Sequence, residues 1–218
     1  MSGPPEPLDP AGLAELLAGI DIQLLDQVLK GRISPGMCVF DAGSGSGRNI
    51  AYLMRIGCRV AATDRDPAAV AELVRRAAVL APDLPHTAFC VDLLEELASA
   101  RDLAASADVV LCIAVLHFAR DEAHFRAMLD GAFSVLRPGG LFFARLASTV
   151  AQEGAAQRFG GGTGVGRYGL ADGTERFLVD EPFLAAEAAR LGAVPLEPLK
   201  STVVHGARTM TTWVLKKT

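Results

Sequence analysis

The chain has 218 residues, of which 50% are hydrophobic and 21% are charged. These values suit one sizeable globular domain and exclude a largely disordered chain. The formal net charge of −4 at pH 7 excludes an overall basic footprint for nucleic acid, although a local basic patch stays open.

The four cysteines, Cys38, Cys58, Cys90 and Cys112, show no Cys-x-x-Cys spacing. We interpret them as small core hydrophobes, since this pattern predicts neither a metal site nor a disulfide framework. Reduced thiols favour a cytoplasmic protein. Residues 1–10 contain four prolines and no apolar signal segment, so they are predicted to be a mobile tail. No apolar run approaches the ~18 residues of a membrane span.

Leucine and isoleucine recur at three- and four-residue spacing from 11 to about 30, which predicts an amphipathic helix in the N-terminal segment 11–34. Gly31 is the expected stop. Strand-like and helical stretches then alternate. The predicted strands are MCVFDAG, CRVAATD, HTAFCVD, ADVVLCIAVL and LFFARLA, the last after an RPGG turn. The predicted helices are RNIAYLMRIG, PAAVAELVRRAAVL, about 93–104 and DEAHFRAMLDGAFSVL.

The segment 148–175 departs from this alternation because it is rich in glycine and typical of a long loop. Such a loop is either a functional lid over a site or a surface insertion, and both interpretations stay open. A helix, EPFLAAEAARLG, is predicted next. Two strand candidates, VPLEPLKSTVV and RTMTTWVLKK, then form a predicted antiparallel hairpin.

The alternation predicts an α/β fold: a doubly wound, mostly parallel seven-stranded Rossmann-like sheet with helices on both faces and a C-terminal antiparallel hairpin. Residues 11–218 are expected to form a single domain. Ligands of such sheets bind outside the carboxyl ends of the strands, near the topological switch point. Functional residues are therefore expected directly after each strand.

A glycine-rich turn follows the first predicted strand, with the sequence Asp41-Ala-Gly43-Ser-Gly45-Ser-Gly47. Alternate glycines permit a tight turn and remove the Cβ atoms that would keep a ligand from the backbone. The free N–H groups at the start of the next helix favour a carboxylate or phosphate. In this context the turn indicates a nucleotide or nucleoside site.

Two more acids follow the next two predicted strands. Asp64 ends AATD, where a carboxylate can accept two hydrogen bonds from a ribose diol. Asp92 follows FCV, where a carboxylate can accept from an exocyclic amine. Each acid alone is typical of a solvated loop or a helix cap. Three acids at three consecutive strand ends indicate a shared nucleoside site.

The segment VFDAGSGSGRNIAYLMRIGCRVAATDRDP resembles the cofactor-binding segment of class I S-adenosylmethionine-dependent methyltransferases. The resemblance extends over roughly 35–147 and includes Asp92 and the RPGG turn. It implies a Rossmann-like methyltransferase domain that binds S-adenosylmethionine and methylates a small molecule. An arginine at position 48 also resembles several small-molecule methyltransferases, including the tellurite-resistance type.

The resemblance implies a role for each matching position. Gly43 and Gly45 would hold the methionine moiety, and Asp41 would orient the loop or meet the amino group. Asp64 would bind the ribose hydroxyls and Asp92 the adenine amine. The full implied cofactor set is Asp41, Gly43, Gly45, Gly47, Arg48, Asn49, Asp64, Arg65, Asp92, Leu93, Cys112 and Ile113.

Candidates for acceptor chemistry are few. His117 follows the fourth strand and is a base, a substrate hydrogen-bonding group or an ordinary polar residue at a strand end. Arg145 lies inside an apolar strand, where a guanidinium must be paired or face a ligand. Together with Arg145, Arg167 and Tyr168 of the glycine-rich segment are candidates for binding an anionic group of the substrate.

Two rival functions stay open at this point. An NAD(P)-dependent oxidoreductase also uses a glycine turn followed by an acid, but its Gly-x-Gly-x-x-Gly fingerprint would place a third glycine at Arg48. A non-catalytic cofactor-binding protein of the same fold would keep the turn and the acids. The methyl acceptor, the accepting atom and the oligomeric state are not specified by the sequence.

Overall fold

A mixed eight-stranded sheet forms the centre of the computed structural model, which describes residues 9–17, 19–82, 89–90, 94–151, 156–160, 163–204 and 207–218. Its strands are β1 (Cys38–Ala42), β2 (Arg59–Thr63), β3 (Phe89–Cys90), β4 (Ala107–Ile113), β5 (Leu136–Ala147), β9 (Ala193–Pro195), β10 (Lys200–Val204) and β11 (Arg208–Lys217). The helices are α1 (Pro10–Leu17), α2 (Ile22–Leu29), α3 (Ile50–Arg55), α4 (Pro67–Leu80), α5 (Glu122–Val135) and α6 (Glu181–Arg190). None of the helices in these ranges is long and apolar enough to cross a membrane.

The strand order of the sheet is β10-β11-β5-β4-β1-β2-β3, and β9 pairs with β11. The strands β3, β2, β1, β4 and β5 run parallel, whereas β11 is antiparallel to both β5 and β10. The predicted parallel sheet and C-terminal hairpin are therefore confirmed. The order reverses between β1 and β4, so a ligand crevice is expected at the carboxyl end of β1.

Alternating side chains of the central strands supply two separate apolar cores. On β5, Phe142 belongs to the core that contacts α5 and α6, whereas Phe143 belongs to the core that contacts α3 and α4. The same alternation divides Val110 from Leu111 on β4. Because both faces of the sheet are covered, these strands carry almost no polar residues, as the near-continuous apolar runs predicted.

The N-terminal segment contains two short helices, so the prediction of one helix over 11–30 is wrong. Gly19 has φ +76°, and Asp21 is extended and caps α2 by accepting a hydrogen bond from the Gln23 N–H. A positive φ and a side-chain cap end one helix and begin another even though the apolar spacing continues. The predicted tail 1–10 lies outside the described residues up to position 8.

Two further element boundaries differ from the prediction. The RPGG motif lies inside β5, which begins at Leu136 because this residue pairs with Ala107 before a shift in register. The predicted turn is therefore an irregularity within the strand, with Gly139 at φ +77°. The helix predicted at about 93–104 is a 3-10 helix at Leu94–Ser99.

The glycine-rich segment contains strands, which the sequence pattern did not predict. Strands β6 (Ala156–Arg158), β7 (Gly166–Leu170) and β8 (Glu175–Leu178) form a second, antiparallel sheet. Phe177 of β8 is 1% exposed and packs into the core beside α5. The second sheet is therefore attached to the main sheet by an apolar contact.

Gly131 in α5 allows this helix to approach the 3-10 helix at Leu94–Ser99. A Cβ built on Gly131 would lie 1.7 Å from the carbonyl oxygen of Leu94. We predict that Gly131→Ala lowers the free energy of unfolding by about 1–3 kcal/mol, because the two helices must separate. Ordinary helix propensity predicts the opposite, a gain of about 1 kcal/mol.

Urea denaturation measures this difference. Ala127→Gly on the exposed face of α5 is the matched control and should cost about 1 kcal/mol, the normal propensity effect. A Gly131→Ala variant that is as stable as the wild type, or more stable, would contradict the prediction.

Candidate active site

The turn after β1 is held against the end of β2 by backbone hydrogen bonds. The N–H groups of Gly43 and Ser44 both donate to the Thr63 carbonyl, at 2.8 and 3.0 Å. Gly43, Gly45 and Gly47 all have positive φ, between +53° and +82°. A Cβ on Gly43 would lie 2.5 Å from the Val115 side chain, whereas a Cβ on Gly45 would meet nothing within 4 Å. The turn is therefore closed on one side and open at Gly45.

Asp64 connects this turn to the start of α4. Its Oδ2 accepts the Gly45 N–H at 2.7 Å, and its Oδ1 accepts the Asp66 N–H at 2.9 Å. A carboxylate has about four lone-pair sites, so each oxygen can accept a further hydrogen bond. Asp64 thus holds the turn and keeps acceptor capacity towards the adjacent space.

That space is a cavity of about 310 Å³, called here the first cavity. It is lined by Gly43, Gly45, Asp64, Arg65, Leu94, Glu95, Ala114, Val115, Phe118, Arg120, His124 and Met128. Four of the predicted cofactor residues are among these. The sequence analysis missed the lining residues from α5 and from the segment after β4. The apolar residues Val115 and Met128 show no spacing that marks a site.

Asp41 lies at the end of β1 and is 1% exposed. Its Oδ2 has no hydrogen-bond partner among the described residues. Burial, and then the carboxylate of Asp64, raise the pKa of Asp41 to about 7, while the charge of Arg48 acts in the opposite direction. A buried acceptor without a partner is costly, which makes Asp41 a site for a cationic or N–H donor group of a ligand.

Arg48 and Asn49 contact the N-terminal segment. Arg48 donates to the Gly19 carbonyl at 3.3 Å, and the Asn49 Oδ1 accepts the Asp21 N–H at 3.0 Å. These two residues therefore hold the joint between α1 and α2 over the start of α3. Their predicted cofactor role stays a prediction.

None of the remaining predicted cofactor residues that the structure describes lines the first cavity. Cys112 is fully buried in the apolar core, where burial raises the pKa of its thiol well above the usual range. Ile113 lies one residue further, at the end of β4, and lines a second cavity. Gly47 is packed against Leu73. Asp92 and Leu93 lie outside the described residues.

The second cavity has a volume of about 510 Å³. It is lined by Asp21, Arg48, Ile113, Ala114, His117, Phe118, Arg145, Ala147, Leu170, Asp172, Thr174, Arg176, Thr202, Val204, Arg208 and Met210. Ala114 and Phe118 line both cavities. The two cavities therefore adjoin at the carboxyl end of β4.

His117 is a buried lining residue of the second cavity, with 6% of its surface exposed. Its Nδ1 has no hydrogen-bond partner within the described ranges, and its ring contacts Phe118 edge to face at 4.7 Å between centroids. Burial, and then the charge of Arg176, lower the pKa of His117 to about 4. At neutral pH the imidazole is therefore uncharged.

Arg145 is paired, as its position in an apolar strand predicted. Its guanidinium forms an ion pair with the carboxylate of Asp21, which is 5% exposed. The Arg145 Nε is buried and finds no acceptor among the described residues. Arg145 thus contributes to the wall of the second cavity, and its Nε–H stays unpaired within the described residues.

Arg167 and Tyr168 do not line either cavity. Arg167 forms an ion pair with Glu175 across the second sheet. Tyr168 is 6% exposed, and its hydroxyl donates to the Gly164 carbonyl at 2.6 Å. Arg176, which pairs with Tyr168 in the antiparallel register, lies in the cavity wall instead. No spacing in the glycine-rich segment distinguishes Arg176 from Arg167.

The residues present fit an S-adenosyl cofactor. The first cavity offers Asp64 to a ribose diol, an open side of the turn at Gly45, and apolar walls at Val115 and Met128. The orphaned Oδ2 of Asp41 matches the ammonium of a methionine moiety. A dinucleotide, in contrast, needs a glycine at the position of Arg48, whose side chain is fixed to Gly19.

The chain is similar to known methyltransferases. Residues 40–142 match the family described as a methyltransferase domain. A search of curated proteins found no match. Magnesium protoporphyrin IX methyltransferase from Synechocystis PCC 6803, solved with S-adenosylmethionine, has a TM-score of 0.66 at 16% identity, over 95% of this chain and 82% of that one.

Two other solved structures are similar over most of their length. A methyltransferase from Methanosarcina mazei has a TM-score of 0.70 at 15% identity, over 87% of this chain and 96% of that one. The Burkholderia thailandensis 1,6-didemethyltoxoflavin-N1-methyltransferase has a TM-score of 0.62 at 19% identity, over 99% of this chain and 93% of that one.

The sheet order and the glycine turn define a Rossmann-like class I fold. Residues 40–142 match a methyltransferase domain, and the chain as a whole has the fold of S-adenosylmethionine-dependent methyltransferases of known structure. The oxidoreductase alternative is not supported by any of these findings.

The raised pKa of Asp41 makes stability depend on pH. The folded protein binds the Asp41 proton more tightly than the unfolded chain, in which the carboxyl has its ordinary pKa of 3.8. This group therefore stabilises the fold most below about pH 4, and its contribution is lost as the pH rises through about 7. We therefore compare the free energies of unfolding of Asp41→Asn and the ligand-free wild type. We predict that the difference shifts in favour of the variant by about 4 kcal/mol as the pH rises between these two values.

Urea denaturation at a series of pH values measures this difference. The denaturant dependence of both proteins should have the same slope, which verifies that the same surface is exposed on unfolding. Parallel pH profiles of the two proteins would show that Asp41 titrates at its ordinary pKa.

Proposed function

We propose that the enzyme transfers the methyl group of S-adenosylmethionine to a small molecule bound in the second cavity. The observation that carries this proposal is the pair of adjoining cavities, which share Ala114 and Phe118. The first cavity is lined by four of the predicted cofactor residues, Gly43, Gly45, Asp64 and Arg65, so we assign the second to the acceptor. Its volume of about 510 Å³ suits a small organic molecule.

The first cavity and Asp41, two residues before Gly43, supply the cofactor contacts in this proposal. Asp64 accepts from the ribose hydroxyls, with Arg65 beside the base. Asp41 accepts from the methionine ammonium, and the turn from Gly43 to Gly47 approaches the methionine moiety with its backbone. The roles of Arg48, Asn49, Asp92, Leu93, Cys112 and Ile113 remain those that the resemblance implies.

The second cavity positions the acceptor and excludes water. When bound, S-adenosylmethionine supplies an electrophilic methyl group, and its sulfur keeps the electron pair of the broken carbon–sulfur bond. Orientation of the two reactants contributes up to about 7–11 kcal/mol to lowering the barrier in the best cases. His117 Nδ1 takes the proton that a hydroxyl or amine of the acceptor loses. A nucleophile that arrives unprotonated needs no such base.

The second sheet and the N-terminal segment shape the acceptor site in this proposal. Asp172, Thr174 and Arg176, near the β7–β8 turn, and Asp21, at the α1–α2 joint, line the second cavity. This arrangement supports the lid interpretation of residues 148–175. The free thiols of Cys38, Cys58 and Cys112 support a cytoplasmic protein.

Calorimetric titration tests the cofactor assignment. We predict that the protein binds S-adenosylmethionine and S-adenosylhomocysteine but not NADH. Asp64→Asn should weaken binding of both adenosyl compounds at least tenfold, because hydrogen bonds to a charged acceptor contribute about 1.5–3 kcal/mol each. Asp66→Asn is the matched control, since Asp66 caps α4, lies outside the first cavity, and asparagine caps equally well.

Two results of this titration would overturn the proposal. One is a folded protein that binds neither adenosyl compound. The other is NADH binding that depends on Asp64, which would favour the alternative function of an NAD(P)-dependent oxidoreductase.

A second experiment tests His117. We predict that His117→Gln retains affinity for S-adenosylmethionine and lowers methyl transfer about 10²–10⁴-fold, measured with labelled cofactor on a panel of phenols and amines. The imidazole should titrate near pH 4 by NMR, and Arg176→Gln should move this pKa upwards, because the second cause of the shift is then removed. Transfer within twofold of the wild type would exclude His117 as the base.

A further inference from the structure

The second cavity is cationic although the chain carries a net charge of −4. Its wall contains four arginines and two aspartates, and His117 is neutral at pH 7. Asp21 is engaged by Arg145. Asp172 accepts both the N–H and the hydroxyl of Thr174, at 2.9 and 2.6 Å. Both carboxylates of the wall therefore already form an ion pair or accept hydrogen bonds within the protein.

Two of the arginines keep most of their donors. Arg176 donates to the Glu175 carbonyl at 2.7 Å, and its guanidinium lies over the Phe118 ring, 4.7 Å from the centroid. Arg208 is exposed and makes no side-chain hydrogen bond or ion pair within the described part of the chain. A guanidinium has five N–H donors in a fixed fork that matches carboxylate and phosphate oxygens.

The rest of the wall is largely apolar. Ile113, Leu170 and Met210 line the cavity together with Phe118, which is 47% exposed. An occupant therefore meets guanidinium groups beside hydrocarbon surface. Partly enclosed cationic surfaces also concentrate anions, because low-dielectric walls focus the field.

We propose that the methyl acceptor carries an oxyanion, a carboxylate or a phosphate, on a partly apolar body, and that Arg176 and Arg208 bind the oxyanion. This inference rests on the proposed function, since it names the substrate class of the same site. Arg145 contributes its unpartnered Nε to the same cavity. The anionic group anchors the acceptor, and a separate nucleophile faces the methyl donor.

The contact between Arg176 and the anion has a consequence for His117. The charge of Arg176 is one of the two causes that lower the pKa of His117. An oxyanion bound to Arg176 offsets this charge. Binding of the acceptor therefore acts to raise the pKa of His117, the base that takes the proton of the acceptor. Anchoring and proton acceptance are thereby linked through one arginine.

Calorimetric titration with three probes of similar shape tests the proposal: benzoate, phenyl phosphate and neutral benzamide. The protein is titrated both free and saturated with S-adenosylhomocysteine. We expect benzoate or phenyl phosphate to bind at least tenfold more tightly than benzamide. Arg176→Gln and Arg208→Gln should each reduce this preference at least fivefold. Arg101→Gln is the matched control, since Arg101 is exposed and lines neither cavity.

The preferred probe distinguishes a carboxylate acceptor from a phosphate acceptor, and either supports the proposal. Equal binding of benzoate, phenyl phosphate and benzamide would overturn it, as would an anion preference that survives both arginine substitutions. Binding of S-adenosylhomocysteine in the same samples reports the cofactor site separately. Failure of the proposed function therefore shows as lost cofactor binding, and failure of this inference as lost anion preference.

Discussion

The backbone of the turn after β1 is hydrogen-bonded to the end of β2, and both cavities depend on that connection. Two N–H groups of the turn share the Thr63 carbonyl, and a third donates to Asp64. These bonds hold three glycines at positive φ and keep the side at Gly45 open. They also direct the chain into α3, and Arg48 and Asn49, directly before this helix, hold the N-terminal segment against the second cavity.

The residues of the first cavity at the ends of β1 and β2 were predictable because their signals are local. The order Asp41, glycine turn and Asp64 occupies a short stretch of chain, and the parallel topology brings these strand ends together. The main sheet was predictable for a related reason. Both faces of its central part are covered, so the central strands carry nearly continuous apolar runs, and the cores on either side of β5 confirm this.

The acceptor half was not predictable because its residues meet only through tertiary structure. Arg176 and Arg208 lie on different sheets, and Asp21 comes from the N-terminal segment. No spacing relates such positions. The break at Gly19 was missed because the apolar periodicity continues through it, while the cap at Asp21 depends on contacts with Asn49 and Arg145. The second sheet was missed because glycines recur throughout the segment 148–175, and glycine weakens strand preference.

The two cavities draw on different parts of the chain. Every residue that lines the first cavity lies within 40–142, the segment that matches the methyltransferase domain, whereas the second takes most of its wall from outside that segment. On the proposed assignment of the two cavities, changes in the N-terminal joint, the second sheet or the C-terminal hairpin can therefore alter acceptor choice without disturbing the glycine turn. Descendants of one such gene can diversify in what they modify while the methyl donor stays the same.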